Sequence, residues 1–255
     1  MRYLLNNATA TLLVLIGFCF ELSFPADSYV QIDGRELRLN EPISTSLKAQ
    51  IWPLRRAVRK VYVKKGAGGR VFDDSSLFPN ISEVSLTAGD SANNQLLHAL
   101  SKHNANLKAI WIAQAEPLGF DSLSALKSFK RLELLGLTCE LADSAMLQSS
   151  VPDSLESLFI NNDKASSWRF PPLPKLQLLR FQCNMNRDFL VNFEAPKLQE
   201  LNVAGAISHE AVSEVARFTH LKVLFIKDPV TKEDNDFLHT LKLRELVCRP
   251  ETGTP

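Results

Sequence analysis

KKGAGGR, residues 64–70, combines the glycines and cations from which a phosphate-cradling loop is made. In such a loop backbone N–H groups point at the anion, a lysine neutralises it, and a helix follows at once. Here the GK[ST] ending is missing, GxGxxG is incomplete, and the chain runs into VFDDSSLF without a helical pattern. The stretch reads as a long turn after a strand, with Lys64, Lys65 and Arg70 as a small anion-attracting patch. Other candidate chemistry fails on spacing. His209-Glu210 opens HEAVS, which lacks the second histidine of a zinc helix and reads as a helix start with an early acid. His98 and His103 stand five apart, a poor match for one helical face. His220 and His239 read as surface groups, Asp73-Asp74 as a solvated loop, and no serine lies in GxSxG. Cys139, Cys183 and Cys248 have no CxxC spacing and form no disulfide framework. The sequence thus offers no catalytic residue, no metal site and no cofactor site, and the expectation is a protein that is not an enzyme.

Bulk properties narrow the partner. The chain has 255 residues, 45% of them apolar, enough for a real core, and a net charge of +1. That balance implies neither a polyphosphate surface nor an acidic tail, so no nucleic acid is expected as a partner. At the start, Arg2 leads into an apolar run from Ala8 to Phe20, broken by Glu21 and followed by Phe24-Pro25-Ala26. Its length suits a signal-peptide core and is short for a bilayer span. Residues 1–26 are read as a cleaved signal, with a membrane anchor over residues 8–24 as the alternative. Both readings place the body outside the cytoplasm, secreted or in the cell envelope, and any membrane contact falls to the N-terminal segment.

The body repeats. The pattern apolar-x-x-apolar-x-apolar recurs as VRKVYV from Val58, ISEVSL from Ile81, LKAIWI from Leu107, LELLGL from Leu132 and LESLFI from Leu155. It continues as LQLLRF from Leu176, LQELNV from Leu198, LKVLFI from Leu221 and LRELVC from Leu243, with starts 21 to 26 residues apart. Side chains alternate along a strand, so positions 4 and 6 face inward while 3, 5 and 7 face outward. One such unit cannot bury its apolar side alone; stacked units can.

These residues resemble leucine-rich repeats, whose pattern is LxxLxLxxN/C, over about residues 55–250. The resemblance implies an α/β solenoid: a concave parallel β-sheet of about nine short strands, with mixed helical and extended segments on the convex side. At the ninth position only Asn184 fits the family outright and Asp163 in part, so the asparagine ladder of the family should be thin and the turns satisfied otherwise. Cysteine-rich caps, usual in extracellular animal members, are missing, which fits a bacterial exported protein.

Between the strands, residues 93–104, 122–130, 208–218 and 233–241 have helical spacing. WRFPPLPK, residues 168–175, must be extended, since its prolines remove donors and disfavour helix. YVQIDGRELRL, residues 29–39, alternates around Asp33-Gly34 and reads as a hairpin. The expected organisation is residues 1–26 as signal or anchor, 27–57 as an N-terminal cap with that hairpin, 58–250 as the repeat domain and 251–255 as a tail.

The outward positions define a candidate partner-binding face: Tyr62, Trp111, Phe159, Arg180, Asn202 and Phe225 from position 5, with Leu134 and Leu178 from position 3. An apolar centre with a polar rim is the anatomy of a protein interface, so the expected partner is a protein or peptide; the alternative is a membrane-anchored structural, envelope-associated solenoid with no dedicated soluble ligand. Trp111 and Phe159, pointing away from the core, are expected to contribute to binding and little to folding.

Overall fold

The computed structural model describes residues 20–23, 29–32, 35–39, 42–64, 67, 71–87, 90–103, 106–114, 117–141, 145 and 147–251. Most of the apolar N-terminal run, the Phe24-Pro25-Ala26 neighbourhood, the Asp33-Gly34 turn, most of KKGAGGR and the tail after Glu251 lie outside the described residues.

Each apolar-x-x-apolar-x-apolar unit forms a short strand beginning at its third position. β1 (Phe20–Ser23) and β2 (Tyr29–Ile32) make a two-stranded antiparallel pair. β3 (Glu36–Leu39), β4 (Lys60–Lys64), β5 (Glu83–Thr87), β6 (Ala109–Ala113) and β7 (Leu134–Thr138) begin the main sheet. β8 (Ser157–Ile160), β9 (Leu178–Phe181), β10 (Glu200–Val203), β11 (Val223–Ile226) and β12 (Glu245–Val247) complete it. The ten strands lie in chain order and every pair is parallel, so the sheet is open, with β3 and β12 at its ends. Equivalent positions pair without a slip: Val84 with Ile110, Ile110 with Leu135, Leu135 with Leu158 and Leu158 with Leu179. Such columns fit a repeat protein.

Burial follows the pleat. Val61, Val63, Val84, Leu86, Leu135, Leu179, Phe181, Leu201 and Val203 are all fully buried, while positions 3 and 5 between them are mostly half-exposed. Among the described residues the sheet has ten strands, one more than the sequence pattern counted. The additional one is Glu36–Leu39, read from sequence as the second arm of a cap hairpin; it pairs parallel with β4 and places Leu37 and Leu39 in the buried columns. Gly34 stands where its unit would need an apolar first residue, which hid it from the pattern.

Among the described residues seven helices return the chain between strands: α1 (Thr45–Ile51), α2 (Asp90–His103), α3 (Phe120–Leu126), α4 (Leu147–Ser150), α5 (Arg187–Val191), α6 (His209–Val215) and α7 (Lys232–Thr240). Several start on side-chain caps: Ser44, Asn186, Ser208 and Thr231 each accept a hydrogen bond from a first-turn N–H. WRFPPLPK forms no helix, as its prolines require: residues 168–173 have no regular structure and Pro174-Lys175 make a turn. It fills its side of the core with rings instead of a helix: Phe170 meets Phe189 edge-on at 6.3 Å and Phe193 at 5.9 Å. No helix among the described residues is long and apolar enough to cross a membrane.

The scarcity of asparagine at position 9 has a visible compensation. Asn184 Oδ1 accepts from the Ala206 N–H of the next unit at 3.0 Å, the kind of rung the ladder would repeat. Elsewhere backbone does the same work. Leu118, Met185 and Val230 each form an isolated parallel bridge to the following unit, with Leu141, Ile207 and Pro250 respectively. These bridges satisfy turn groups that would otherwise be left without partners.

Candidate functional site

The outward row at position 5 runs Arg38, Tyr62, Ser85, Trp111, Gly136, Phe159, Arg180, Asn202, Phe225, Val247 from one end of the sheet to the other. Register alone makes each a neighbour of the next, about 4.8 Å away. The side chains then sort themselves into two clusters.

The central cluster is built on a glycine. Gly136 lies on β7 between Trp111 of β6 and Phe159 of β8. A Cβ on Gly136 would fall inside the van der Waals radius of the Trp111 indole, so the indole lies directly over the Gly136 backbone. Freed from a side chain in between, Trp111 and Phe159 meet with ring centroids 4.8 Å apart at 51°. The Arg180 guanidinium carbon sits 5.2 Å from the Phe159 centroid, a cation–π contact. Glu200 holds that arginine from the other side at 3.9 Å and accepts from Asn202 Nδ2 at 2.8 Å. Five side chains on four strands are thereby linked in one direction: Trp111, Phe159, Arg180, Glu200, Asn202, with Gly136 of β7 as the floor.

The second cluster lies at the β3 end. Tyr62 has Arg38 on one side and Lys60 on the other, each 5.0 Å from its ring centre. Lys60 pairs with Glu83 at 2.7 Å. Burial alone would lower the Lys60 pKa; hydrogen bonds to Glu83 and Tyr62 outweigh it and hold the ammonium above its ordinary value. Ser85, on β5, separates this cluster from Trp111.

Of the residues expected on this face, the structure brings together Trp111, Phe159, Arg180 and Asn202. Tyr62 belongs to the other cluster. Leu134 and Leu178 flank the central row on position 3, both half-buried and both paired with Ser157 of β8. Phe225 stands beyond Asn202, 37% exposed. Trp111 and Phe159 are half-buried, sheltered by one another instead of standing free in solvent. Sequence reasoning missed Arg38, since β3 was read as a hairpin arm and not as a repeat strand, and Glu200, which anchors Arg180. It also took Gly136 for an outward position like any other; Trp111 buries it. The signal for that was present in the register, a glycine directly between two aromatics.

A third arrangement lies on the returning side. Asp234, only 4% exposed, accepts from His209 Nδ1 at 2.7 Å and from Thr231 Oγ1 at 2.7 Å. An aspartate that orients a histidine is two-thirds of a nucleophilic triad. Here the pair joins the starts of α6 and α7: Thr231 caps α7 through the Asp234 N–H, and His209 opens α6, as the sequence suggested. The hydrogen bond to Asp234, with that carboxylate's charge, raises the His209 pKa above its ordinary value. Cys139 and Cys183 are buried, and burial pushes the Cys183 thiol up to about 11. Such a thiol is a poor nucleophile and packs as a small apolar group.

No protein-family model matches the chain, and no curated protein matches it in sequence. The geometry above is what any functional reading must rest on.

Proposed function

We propose that this chain is a leucine-rich-repeat solenoid that works as a non-catalytic binding module, gripping a protein or extended peptide across the outward face of its ten-stranded sheet. The observation that supports this reading is the Trp111–Phe159–Arg180 row laid over Gly136. A glycine in mid-strand forfeits packing and adds backbone entropy. Here it lets an indole lie flat on the sheet, with a second ring and a guanidinium in contact, an assembly of the residue types that dominate binding energetics. Lys60–Glu83 on one side and Glu200–Asn202 on the other give the apolar centre a polar rim. The Ala8–Phe20 run supports export, with residues 1–26 as a cleaved leader.

Affinity capture tests the binding reading when it is done as a pair. The purified chain and its Trp111→Ala variant are used side by side as bait, with Ser85→Ala as control. A partner retained by the parent and the control and lost by Trp111→Ala supports the reading. Equal retention by all three places the partner elsewhere and sinks it. N-terminal sequencing of the exported chain tests the leader, with a start near Asp27 as the expected result.

A further inference from the structure

From Pro42 to Phe72 the sequence holds eight lysines and arginines and not one aspartate or glutamate. The whole chain carries a net charge of only +1, so this is a strong local asymmetry. Its centre is the short 3-10 turn Trp52–Leu54 and the residues that follow it, behind the β3 end of the sheet. Trp52 is 46% exposed, a high value for so large an apolar side chain. Pro53, Arg56 and Arg59 beside it are also exposed. Arg55 stacks on the indole with its guanidinium carbon 3.8 Å from the ring centre and donates to the Trp52 carbonyl. The segment is fixed to the body by Asn80, whose Nδ2 donates to the Arg56 carbonyl at 2.9 Å while its own carbonyl accepts from Arg59 at 3.0 Å. Neither Arg55, Arg56 nor Arg59 pairs with a carboxylate among the described residues; Lys48 does, with Asp74 at 3.4 Å.

We infer that this end of the molecule docks on an anionic lipid surface, Trp52 entering the headgroup layer and Arg55, Arg56 and Arg59 meeting lipid phosphates. Two observations choose a bilayer over a nucleic acid. An exposed tryptophan flanked by arginines is the composition of a membrane interface, where an amphipathic ring sits among headgroups. One face of the Trp52 ring is already taken by Arg55, which hinders the stacking of a base on that face. The inference is independent of what binds the Trp111 row.

Sedimentation of the full chain with vesicles tests it, using phosphatidylcholine alone or mixed with phosphatidylglycerol. The apolar run would bind both kinds; the basic turn distinguishes them. The expected result is preferential binding to the mixed vesicles that fades with added salt. Arg55→Gln with Arg56→Gln should reduce that preference by about fivefold for each arginine removed. Trp52→Ser should lower it further. Lys222→Gln with Arg244→Gln, toward the other end of the sheet, should leave it unchanged, with circular dichroism confirming that all variants fold. Equal binding of the parent to both vesicle types, or a double-arginine variant that keeps the preference, overturns the inference. So does tighter binding to a mixed-sequence RNA than to the mixed vesicles at equal phosphate concentration.

Discussion

Trp111 and Phe159 stand on strands two steps apart, yet their ring centroids are only 4.8 Å from each other because the strand between them carries Gly136. Two strand spacings amount to about 9.6 Å. The rings close that distance by leaning inward over a residue with no side chain. Gly136→Val should therefore expel the indole from its place and separate the two rings. Capture of a partner that depends on Trp111 should fall at least as far as it does in Trp111→Ala, at least about 2 kcal/mol if the row is a hot spot. Titration of the captured partner against both variants measures this; a Gly136→Val variant that binds like the parent would show that the flat indole is not the recognition element.

The same contact changes what truncation should do to folding. A ring wholly in solvent would leave stability untouched when removed, whereas Trp111 is half-buried against Gly136 and Phe159. Trp111→Ala should cost roughly 1–2 kcal/mol, the sum of lost apolar burial and one aromatic pair. Ser85→Ala in the same row should cost almost nothing. Urea denaturation of the two variants and the parent separates these outcomes, and equal midpoints for Trp111→Ala and parent would mean the indole is not packed as described.

The contrast between Trp111 and Leu179 shows what the sequence discloses. Strand period and repeat spacing predict which face a residue occupies, and that prediction holds for every inward column from Val61 to Val203. They do not predict how outward side chains lean, since Trp111 crossing Gly136 is a property of three strands at once. β3 was hidden for a simpler reason: Gly34 replaces the apolar residue that announces every other unit, although Leu37 and Leu39 keep the inward spacing. α4 and α5, only four and five residues long, are too short to establish a helical period. Arg180 was legible as outward; its dependence on Glu200 was not, because the partner lies one whole unit away.

Leu179 is fully buried, with Leu158 and Leu201 beside it in the same column. Leu179→Asp would place a carboxylate there with no cation to meet it. The group must either stay charged without solvent or take up a proton, and the expected loss is roughly 3–5 kcal/mol. Thermal or urea unfolding of the variant checks this, and a midpoint equal to the parent's would mean that the register is wrong.

Gly205 marks a second close approach, this time between backbones. A Cβ on it would overlap the carbonyl group of Cys183 and the Asn184 nitrogen of the preceding unit. Backbone cannot rotate aside as the Trp111 ring can. Gly205→Val should push the two units apart just where Asn184 Oδ1 accepts from the Ala206 N–H, losing that hydrogen bond along with the packing. The expected cost is about 1–3 kcal/mol. Hydrogen exchange at the Ala206 amide gives a local readout: it should quicken well beyond what the global loss of stability accounts for.

The link between α6 and α7 should make stability depend on pH near neutrality. Asp234 holds His209 by a 2.7 Å hydrogen bond, and Glu233 and Glu210 add negative charge around the ring, so the folded state keeps its proton to a higher pH than the unfolded chain does. A group whose pKa is raised on folding contributes its stabilisation in full below the unfolded value, near 6.5. That contribution is lost as pH climbs through the higher folded value. Between pH about 5.5 and about 8 the parent should lose stability relative to a His209→Gln variant, which has no proton to lose there. Asp234→Asn should remove the same pH dependence while also weakening the start of α7, since Thr231 Oγ1 donates to that carboxylate. Denaturation midpoints of the three proteins across the range test the pair. Parallel curves for the parent and His209→Gln would show that the imidazole titrates alike in both states and that Asp234 does not favour its protonated form on folding.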